Sequence, residues 1–513
     1  MYLLTGVVLL LSYTLYRVLN IGRRHPRMPP GPPTIPLLGN VHQIPKTGLG
    51  KQFRTWADKY GPIFSLKIGP RNLVVVCDRK AANYLLDKKG SIYSDRPFVY
   101  VTNYITHGDR LTMENATPAW REQRAIVSRN LSPKLLDEKH FRVQEAEAVI
   151  FMNNILKQPE RMFDYARLYT ASVASTLIWG QRAADLDSFW YKEFYELMDL
   201  WVKIEELGAN PPIDEFPFLK YLPGNWKTRA DKCKELQTAM WTKARAIIDK
   251  RRAEGDKRDC FIDTKLDDYE AKGFPMSQHA FNYLFGVLLE AGADTTANQI
   301  LTIILALAKY PKVAERARKE IDAVCGKDRA PLFSDFNELP YINCIVKEGM
   351  RWRPTLCHTD DEYEGMLIPK GTTVFLGVWA LHYDEKSYPN PNDFNPDRYL
   401  DHPKLAHDYS VGDYNKRDTY APFKGWYSKL TSMHLAERNM WRITAKLLWA
   451  FDISEPVDPV TGKVTSLDVD AYNSAVLLCP LPFEVKVVPR SKEHLAVIER
   501  ELDDATKFMS QWG

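Results

Sequence analysis

The sequence predicts a predominantly helical α+β fold: one large domain with small β-sheets, preceded by an N-terminal membrane helix. Apolar residues recur at three- and four-residue spacings over most of 79–350, which indicates helices. Short segments of alternating apolar and polar residues flank this region and indicate strands. Hydrophobic residues make up 45% of the chain and charged residues 26%, which excludes a disordered chain and a multi-span membrane protein.

The charge balance and the cysteines exclude further classes. The formal net charge of +4 comes from 69 basic and 65 acidic residues, so no concentrated basic face is expected and nucleic acid is not a predicted partner. The seven cysteines are scattered and form no pair separated by two residues. A disulfide framework and a structural zinc site are therefore excluded, and reduced thiols in a cytosol-facing domain are expected.

The N-terminus predicts a transmembrane anchor over 2–21. Residues 2–16 carry no charge, and Arg17 is the only charged residue before position 22. Roughly 20 helical residues cross a ~30 Å hydrocarbon core. Basic residues follow this segment at 23, 24 and 27, which predicts a luminal N-terminus and a cytosolic remainder. A cleaved signal peptide is the alternative, but the segment lacks a basic start and a small-residue cleavage pattern.

Residues 22–40 are rich in basic residues and proline, and predict a stiff hinge. Met28 to Pro33 contains four prolines, and each proline fixes its own φ and favours an extended predecessor. A plain linker is the alternative. Because no further linker or repeat follows, residues 41–513 are expected to form a single domain.

Within that domain, three features stand out. Residues 63–69 and 72–78 predict a β-hairpin, and 372–376 and 483–489 predict further strands. Ser277 is a plausible N-cap for a helix that meets no proline until Pro311, about 50 Å later. The centre of this helix is apolar nearly all round, so it should be buried.

The middle of the buried helix carries candidate functional residues. Ala291 and Gly292 are small enough for a flat group to lie against the backbone. Asp294 and Thr295 follow, and an acid beside a hydroxyl is costly to bury without a purpose. The alternative is structural, because threonine can bond to a preceding carbonyl and bend a helix.

Five further positions could bind an anion or form a buried ion pair. Glu348 and Arg351 lie one helical turn apart, and Arg398 lies in a proline-containing loop. Trp120 and Arg124 are four residues apart, so an indole N–H and a guanidinium would share one helix face. For the acid–arginine pair, an ordinary solvated surface pair is the alternative.

Together these motifs resemble the cytochrome P-450 family of haem-thiolate monooxygenases, most closely its fungal, membrane-anchored, secondary-metabolite branch. The resemblance extends to about residue 490. It implies that Trp120 and Arg124 contact a haem propionate and that Ala291 and Gly292 lie in the oxygen-binding segment. It also implies that Asp294 and Thr295 deliver protons to dioxygen, and that Glu348, Arg351 and Arg398 form a buried triad.

The resemblance also implies an activity and its partners. It implies haem as cofactor, an NADPH-cytochrome reductase as electron donor, and hydroxylation of a small aromatic or polyketide-like intermediate. It places the protein in the endoplasmic reticulum membrane as a single-pass protein with a cytosolic catalytic domain. By the same resemblance, substrate specificity is expected in 100–113, in 202–217 and in the segment after Pro354.

The loop that should supply the iron ligand departs from the family pattern. Phe423 and Leu435–Glu437 match its two ends, but counting back from Leu435 places Leu430 at the cysteine position, and residues 421–433 contain no cysteine. The other departures are Trp426, Ser428 and Ser432. Leucine has no lone pair for iron, and a neutral substitute does not supply the electronic push for O–O cleavage.

A second departure is the short segment 355–359, where the family has a longer one. Cys357 and His358 lie there, and His358 is a candidate propionate donor.

The two departures leave three hypotheses. The first is a monooxygenase whose two altered segments come from a splicing or gene-model error. The second is a haem-free or non-oxidising remnant that binds or scaffolds at the membrane, and the third is a haem protein with another ligand, such as His434, for an isomerase or dehydratase step.

Overall fold

The structure is a computed structural model of the 513-residue chain. It describes residues 2–45, 47–89, 95–115, 117–206, 208–354, 366–410, 433–458, 460–473 and 477–513. Helices dominate these ranges. They are α1 (Tyr2–Asn20), α2 (Leu49–Tyr60), α3 (Arg79–Ala82), α4 (Tyr100–Thr106), α5 (Pro118–Asn130), α6 (Pro133–Glu138), α7 (Phe141–Lys157), α8 (Met162–Trp179), α9 (Phe189–Glu205), α10 (Asn225–Ala253), α11 (Phe261–Lys272), α12 (Gln278–Lys309), α13 (Pro311–Cys325), α14 (Pro340–Trp352), α15 (Val378–His382), α16 (Ala406–Ser410), α17 (Met433–Ala450) and α18 (Lys492–Met509).

The long helix α12 forms the centre of the fold. Its 32 residues are preceded by Ser277, whose hydroxyl accepts a hydrogen bond from the Ala280 N–H, and the next helix begins at Pro311. Both predicted ends are therefore confirmed, and the helix is about 48 Å long. It packs against α8, α14 and α17, so the main hydrophobic core surrounds it.

Two small sheets flank the helices. The predicted hairpin is confirmed: β1 (Ile63–Ile68) pairs antiparallel with β2 (Arg71–Val76), with Ile63 opposite Val76. β3 (Thr373–Leu376) adds in parallel to β2. β4 (Phe451–Ser454) pairs antiparallel with β5 (Lys486–Pro489). The helix-rich α+β prediction with small sheets is therefore confirmed.

The predicted transmembrane anchor over 2–21 is not confirmed. The segment is helical from Tyr2 to Asn20, but no helix among the described residues is both long and apolar enough to cross a membrane. Hydroxyl and amide side chains and Arg17 reduce the apolar character of this helix.

The proline-rich segment 22–40 lies against the first sheet. Arg24 donates from Nη2 to the carbonyl oxygens of Pro32 and Ser65, at 2.7 and 2.8 Å. The Ser65 hydroxyl donates to the Pro29 carbonyl oxygen at 2.5 Å. Asn40 is fully buried, and its side-chain oxygen accepts from the Lys67 N–H at 2.8 Å. These bonds fix the segment to β1 rather than leaving it as a free spacer.

Candidate functional site

One face of α12 is open at its centre. Between Tyr283 and Ala308 the buried run is interrupted only at Ala291, Gly292 and Thr295, which keep partial exposure. Positions i, i+1 and i+4 share one helix face, so the three form a continuous surface. A Cβ added at Gly292 would have Ala174 Cβ as its nearest neighbour, at 3.6 Å. Position 292 thus lies within ordinary contact distance of α8, and the small residues keep this part of the helix surface accessible.

Asp294 and Thr295 point to different partners. The Thr295 hydroxyl donates to the Ala291 carbonyl oxygen at 2.6 Å, which is the back-bonding geometry expected of a helical threonine. The buried Asp294 carboxylate accepts from Asn298 Nδ2 at 3.1 Å. Burial raises the pKa of this carboxyl to about 6, although the Arg167 guanidinium acts to lower it. Asp294 is thus able to hold a proton near neutral pH.

Trp120 and Arg124 lie on α5, which begins with the Thr117 cap and Pro118 at its first position. Trp120 Nε1 donates to the Leu111 carbonyl oxygen at 3.2 Å, so the chain itself satisfies this indole. The Arg124 guanidinium lies 4.8 Å from the centre of the Trp120 ring. Burial, and then the charge of Arg96, lower the pKa of Arg124 to about 10.

Arg124 is therefore a partly desolvated cation beside a second arginine. Among the described residues no carboxylate pairs with it. A partly buried charge without a counter-ion is unfavourable, and an anionic group placed there would relieve it.

Glu348, Arg351 and Arg398 are brought together beside α14. Arg351 donates from Nε and Nη2 to the two Glu348 oxygens, each at 2.7 Å, and neither side chain is exposed. Arg398 Nε lies 3.4 Å from Glu348 Oε1. Arg351 also donates to the carbonyl oxygens of His382 and Pro391, at 2.9 and 3.0 Å. This network ties the helix to the loop that follows it.

A second polar cluster, which sequence reasoning missed, surrounds Glu290 on another side of α12. Glu290 directly precedes Ala291 and is 4% exposed. It faces Arg110 from the loop between α4 and α5, with 3.2 Å between Oε2 and Nη1, and accepts from Gln237 Nε2 of α10 at 2.8 Å. The available signal was a single carboxylate inside an otherwise apolar run.

Comparison with known proteins identifies the family. Residues 29–424 match the family model described as cytochrome P450. The chain belongs to the cytochrome P450 family. Three similar fungal proteins are cytochrome P450 monooxygenases: patI of Aspergillus clavatus, 39% identical over 99% of this chain and 96% of its own length; acuD of Aspergillus aculeatus, 39% identical over 98% and 96%; and macC of Penicillium terrestre, 38% identical over 98% and 97%.

The open face and Arg124 fit the haem that the cytochrome P450 family implies. The open face presents small, partly exposed residues at the centre of the longest helix, which suits a flat ring. Arg124 supplies an unneutralised cation suited to a propionate. These described residues therefore suit the group, Ala291 and Gly292 by their size and Arg124 by its charge.

Five buried cysteines of this cytochrome P450 chain are not thiolate-like. Burial raises the pKa of Cys233, Cys260, Cys344 and Cys479 to about 12, and that of Cys325 to about 11. Such thiols stay protonated near neutral pH and behave as packed apolar groups.

Several predicted positions lie outside the described residues: Leu430 with Trp426, Ser428 and Ser432, and Cys357 with His358. His434 is described and is buried near the start of α17.

Proposed function

We propose that this chain is a haem-binding monooxygenase scaffold whose substrate is a small aromatic or polyketide-like intermediate of fungal secondary metabolism. The observation that carries the proposal is the open face at Ala291, Gly292 and Thr295, in a helix that is otherwise buried between Tyr283 and Ala308. Family membership and the fungal relatives support the same conclusion.

In this proposal each described residue has a physical task. Haem, when bound, supplies the chemistry of dioxygen activation. Arg124 neutralises a propionate, and Ala291 and Gly292 leave room for the ring. Thr295 presents its hydroxyl at the open face, and Asp294 holds an exchangeable proton one residue away. Glu348 and Arg351 hold the loop after α14 in place.

Electrons would come from an NADPH-cytochrome reductase, and the protein would associate with the endoplasmic reticulum membrane. The family and its fungal members support both expectations. Fractionation of cells that express the chain with and without residues 1–27 tests the expected membrane association. Unchanged partition after the deletion would contradict a role for the N-terminal helix.

We further propose that this chain does not activate oxygen as its relatives do. The expected ligand position is Leu430, and residues 421–433 contain no cysteine. The family match ends at residue 424, inside this altered loop. The raised pKa values of Cys344 and Cys479 also argue against a replacement thiolate from those positions. A splicing or gene-model error at the two altered segments would explain the loss of the cysteine. Inspection of the exon boundaries at these segments tests that explanation.

The missing cysteine also favours a second candidate function. Without a ligand the chain would be a haem-free or non-oxidising remnant that binds a small molecule or acts as a scaffold. Ligation by the buried His434, for a reaction without oxygen insertion, is the remaining hypothesis. All three use the same fold and differ in whether haem is bound and in which residue would ligate its iron.

Haem content separates the first two candidates. The full chain and the variants Arg124→Gln and Arg129→Gln are purified, and haem per chain is measured as the pyridine haemochrome. Arg129 is the matched control because it lies on the same helix but is exposed. We expect haem in the native chain and the control, and several-fold less with Arg124→Gln. Absence of haem from all three would contradict the haem-binding proposal and favour the remnant.

A further inference from the structure

Residues 490–513, which we call the strap, lie across the helical core and are fastened to it at both ends. At one end Arg490 donates from its two terminal nitrogens to the Asp322 carboxylate on α13, at 2.6 and 2.8 Å. In the middle, α18 packs against α7. At the far end the Trp512 carbonyl oxygen accepts from the Arg182 N–H, just after α8, at 3.0 Å. The strap therefore joins α13 to the loop after α8, two regions that are distant in the sequence.

The buried side chains of α18 are apolar with one exception. Val497, Ile498 and Met509 belong to the main hydrophobic core. His494 is buried with them, at 2% exposure, and the centre of its ring lies 4.7 Å from the centre of the Trp449 ring on α17. Its Nε2 has no hydrogen-bond partner among the described residues. A titratable group thus lies at the joint between the strap and the core.

The hydrogen bonds of His494 define its protonation state. Ser491 Oγ lies 2.8 Å from His494 Nδ1. The Ser491 hydroxyl donates to the Glu493 carboxylate and thereby lowers the pKa of that carboxyl. Because its proton is used in this way, Ser491 Oγ accepts from His494 Nδ1–H, which assigns the neutral tautomer without a proton on Nε2. The docked strap therefore holds His494 as an uncharged ring.

The charges around His494 are already paired. Arg490 binds Asp322, as described above. Lys327 Nζ lies 3.9 Å from Glu493 Oε2. A proton on Nε2 would add a third positive charge in a buried position, and these two carboxylates are already balanced. Burial, and then the Arg490 charge, lower the pKa of His494. Lys327 acts in the same direction, whereas Asp322 and Glu493 oppose it.

We propose that the strap is an acid-sensitive latch: protonation of His494 releases residues 490–513 from α17 and α7. This inference goes beyond the proposed function and depends on neither haem nor substrate. In the released strap the imidazole is hydrated and has its ordinary pKa of about 6.5. Because the docked pKa is lower, docking is strongest above about pH 6.5 and weakens as the pH falls below that value.

Release of the strap would also free two loops at its far end. The loop after α8 is held through the bond from the Arg182 N–H. The loop before α11 is held through Arg258, whose Nη2 donates to the Gly513 backbone oxygen at 3.3 Å. Trp512 lies between them and is 8% exposed. Acidification should therefore loosen both loops together with α18.

Hydrogen exchange of the full chain, followed by mass spectrometry at a pH of about 7.5 and of about 5.5, tests the latch. The rates are corrected for the intrinsic effect of pH on exchange. We expect exchange in α18 to quicken by up to about tenfold at the lower pH, since the released imidazole is then about ten times more often charged than neutral. Peptides from the loop after α8 should quicken with α18, whereas those from the centre of α12 should not.

Two variants assign the response to the imidazole. His494→Phe keeps an aromatic ring against Trp449 and cannot take up a proton, and His494→Gln replaces the ring with a neutral amide. In both variants the difference between the two pH values should disappear from α18. His25→Gln is the control, because His25 is exposed and lies in the proline-rich segment, and it should keep the full response. Circular dichroism verifies that each variant is folded.

Three results would overturn the latch. The first is no quickening of α18 at the lower pH, and the second is the same quickening in both His494 variants. The third is equal quickening in α12, which would indicate unfolding of the whole chain. None of these measurements involves haem, so failure of the latch leaves the proposed function standing. A haem-free chain that shows the acid response supports the latch while the haem-binding proposal fails.

Discussion

Removing the charge of Glu348 should destabilise the protein strongly. Its two oxygens accept from Arg351 at 2.7 Å each, with no exposure of either side chain, and Oε1 also accepts from the Asn395 N–H at 2.8 Å. In Glu348→Gln the guanidinium stays buried because it also donates to the His382 carbonyl, but it loses its counter-charge. Breaking one side of such a pair costs about 3–5 kcal/mol.

Urea unfolding followed by tryptophan fluorescence measures this loss. The matched control is Glu315→Gln, because Glu315 pairs with Lys319 one turn away on α13 and both are well exposed, at 61% and 75%. Exposed pairs contribute about 0–1 kcal/mol, so the control should hardly change the free energy of unfolding. If Glu348→Gln lowers the free energy of unfolding by less than about 1 kcal/mol, the argument that buried Arg351 needs the charge of Glu348 is refuted.

Further predictions concern α12. Since the folded pKa of Asp294 is raised to about 6, the native carboxyl keeps its proton where the unfolded one loses it, so stability should fall by about 2 kcal/mol as pH rises from about 4 to 6. Urea midpoints measured across this pH range should show that Asp294→Asn removes this pH dependence of stability. An unchanged pH dependence would contradict the burial of Asp294. Ser277→Ala should cost about 1 kcal/mol by loss of the cap. Gly286→Ala places a Cβ 2.3 Å from Trp241 and should cost about 1–3 kcal/mol. Gly292→Ala, with 3.6 Å of clearance, should be neutral or slightly stabilising in the same assay.

The sequence predicted elements whose signals are local. The ends of α12 were predictable because Ser277 and Pro311 act within one helical turn. The hairpin of β1 and β2 was predictable from the alternation of apolar and polar residues. β4 was missed because it is four residues long and pairs with β5, more than thirty residues later. The transmembrane anchor over 2–21 stays a prediction, because the segment is helical over Tyr2–Asn20 but no described helix is both long and apolar enough to cross a membrane.

The site was predictable only where a motif marked it. Asp294, Arg124 and Glu348 came from recognisable spacings, although no spacing showed that Trp120 Nε1 donates to the Leu111 carbonyl. The contacts of Glu290 with Arg110 and Gln237 could not be found in this way, since the three residues come from one loop and two helices and meet only in the fold.

The central claim is that no electron-rich sulfur lies beneath the porphyrin in this chain, because Leu430 takes the place of the cysteine. The carbon monoxide difference spectrum of the dithionite-reduced, haem-loaded full chain tests it most directly. We expect no Soret band at the red-shifted position of thiolate-ligated haem. A band at that position would contradict the claim, whereas one typical of histidine-ligated haem would assign the ligand to another residue such as His434.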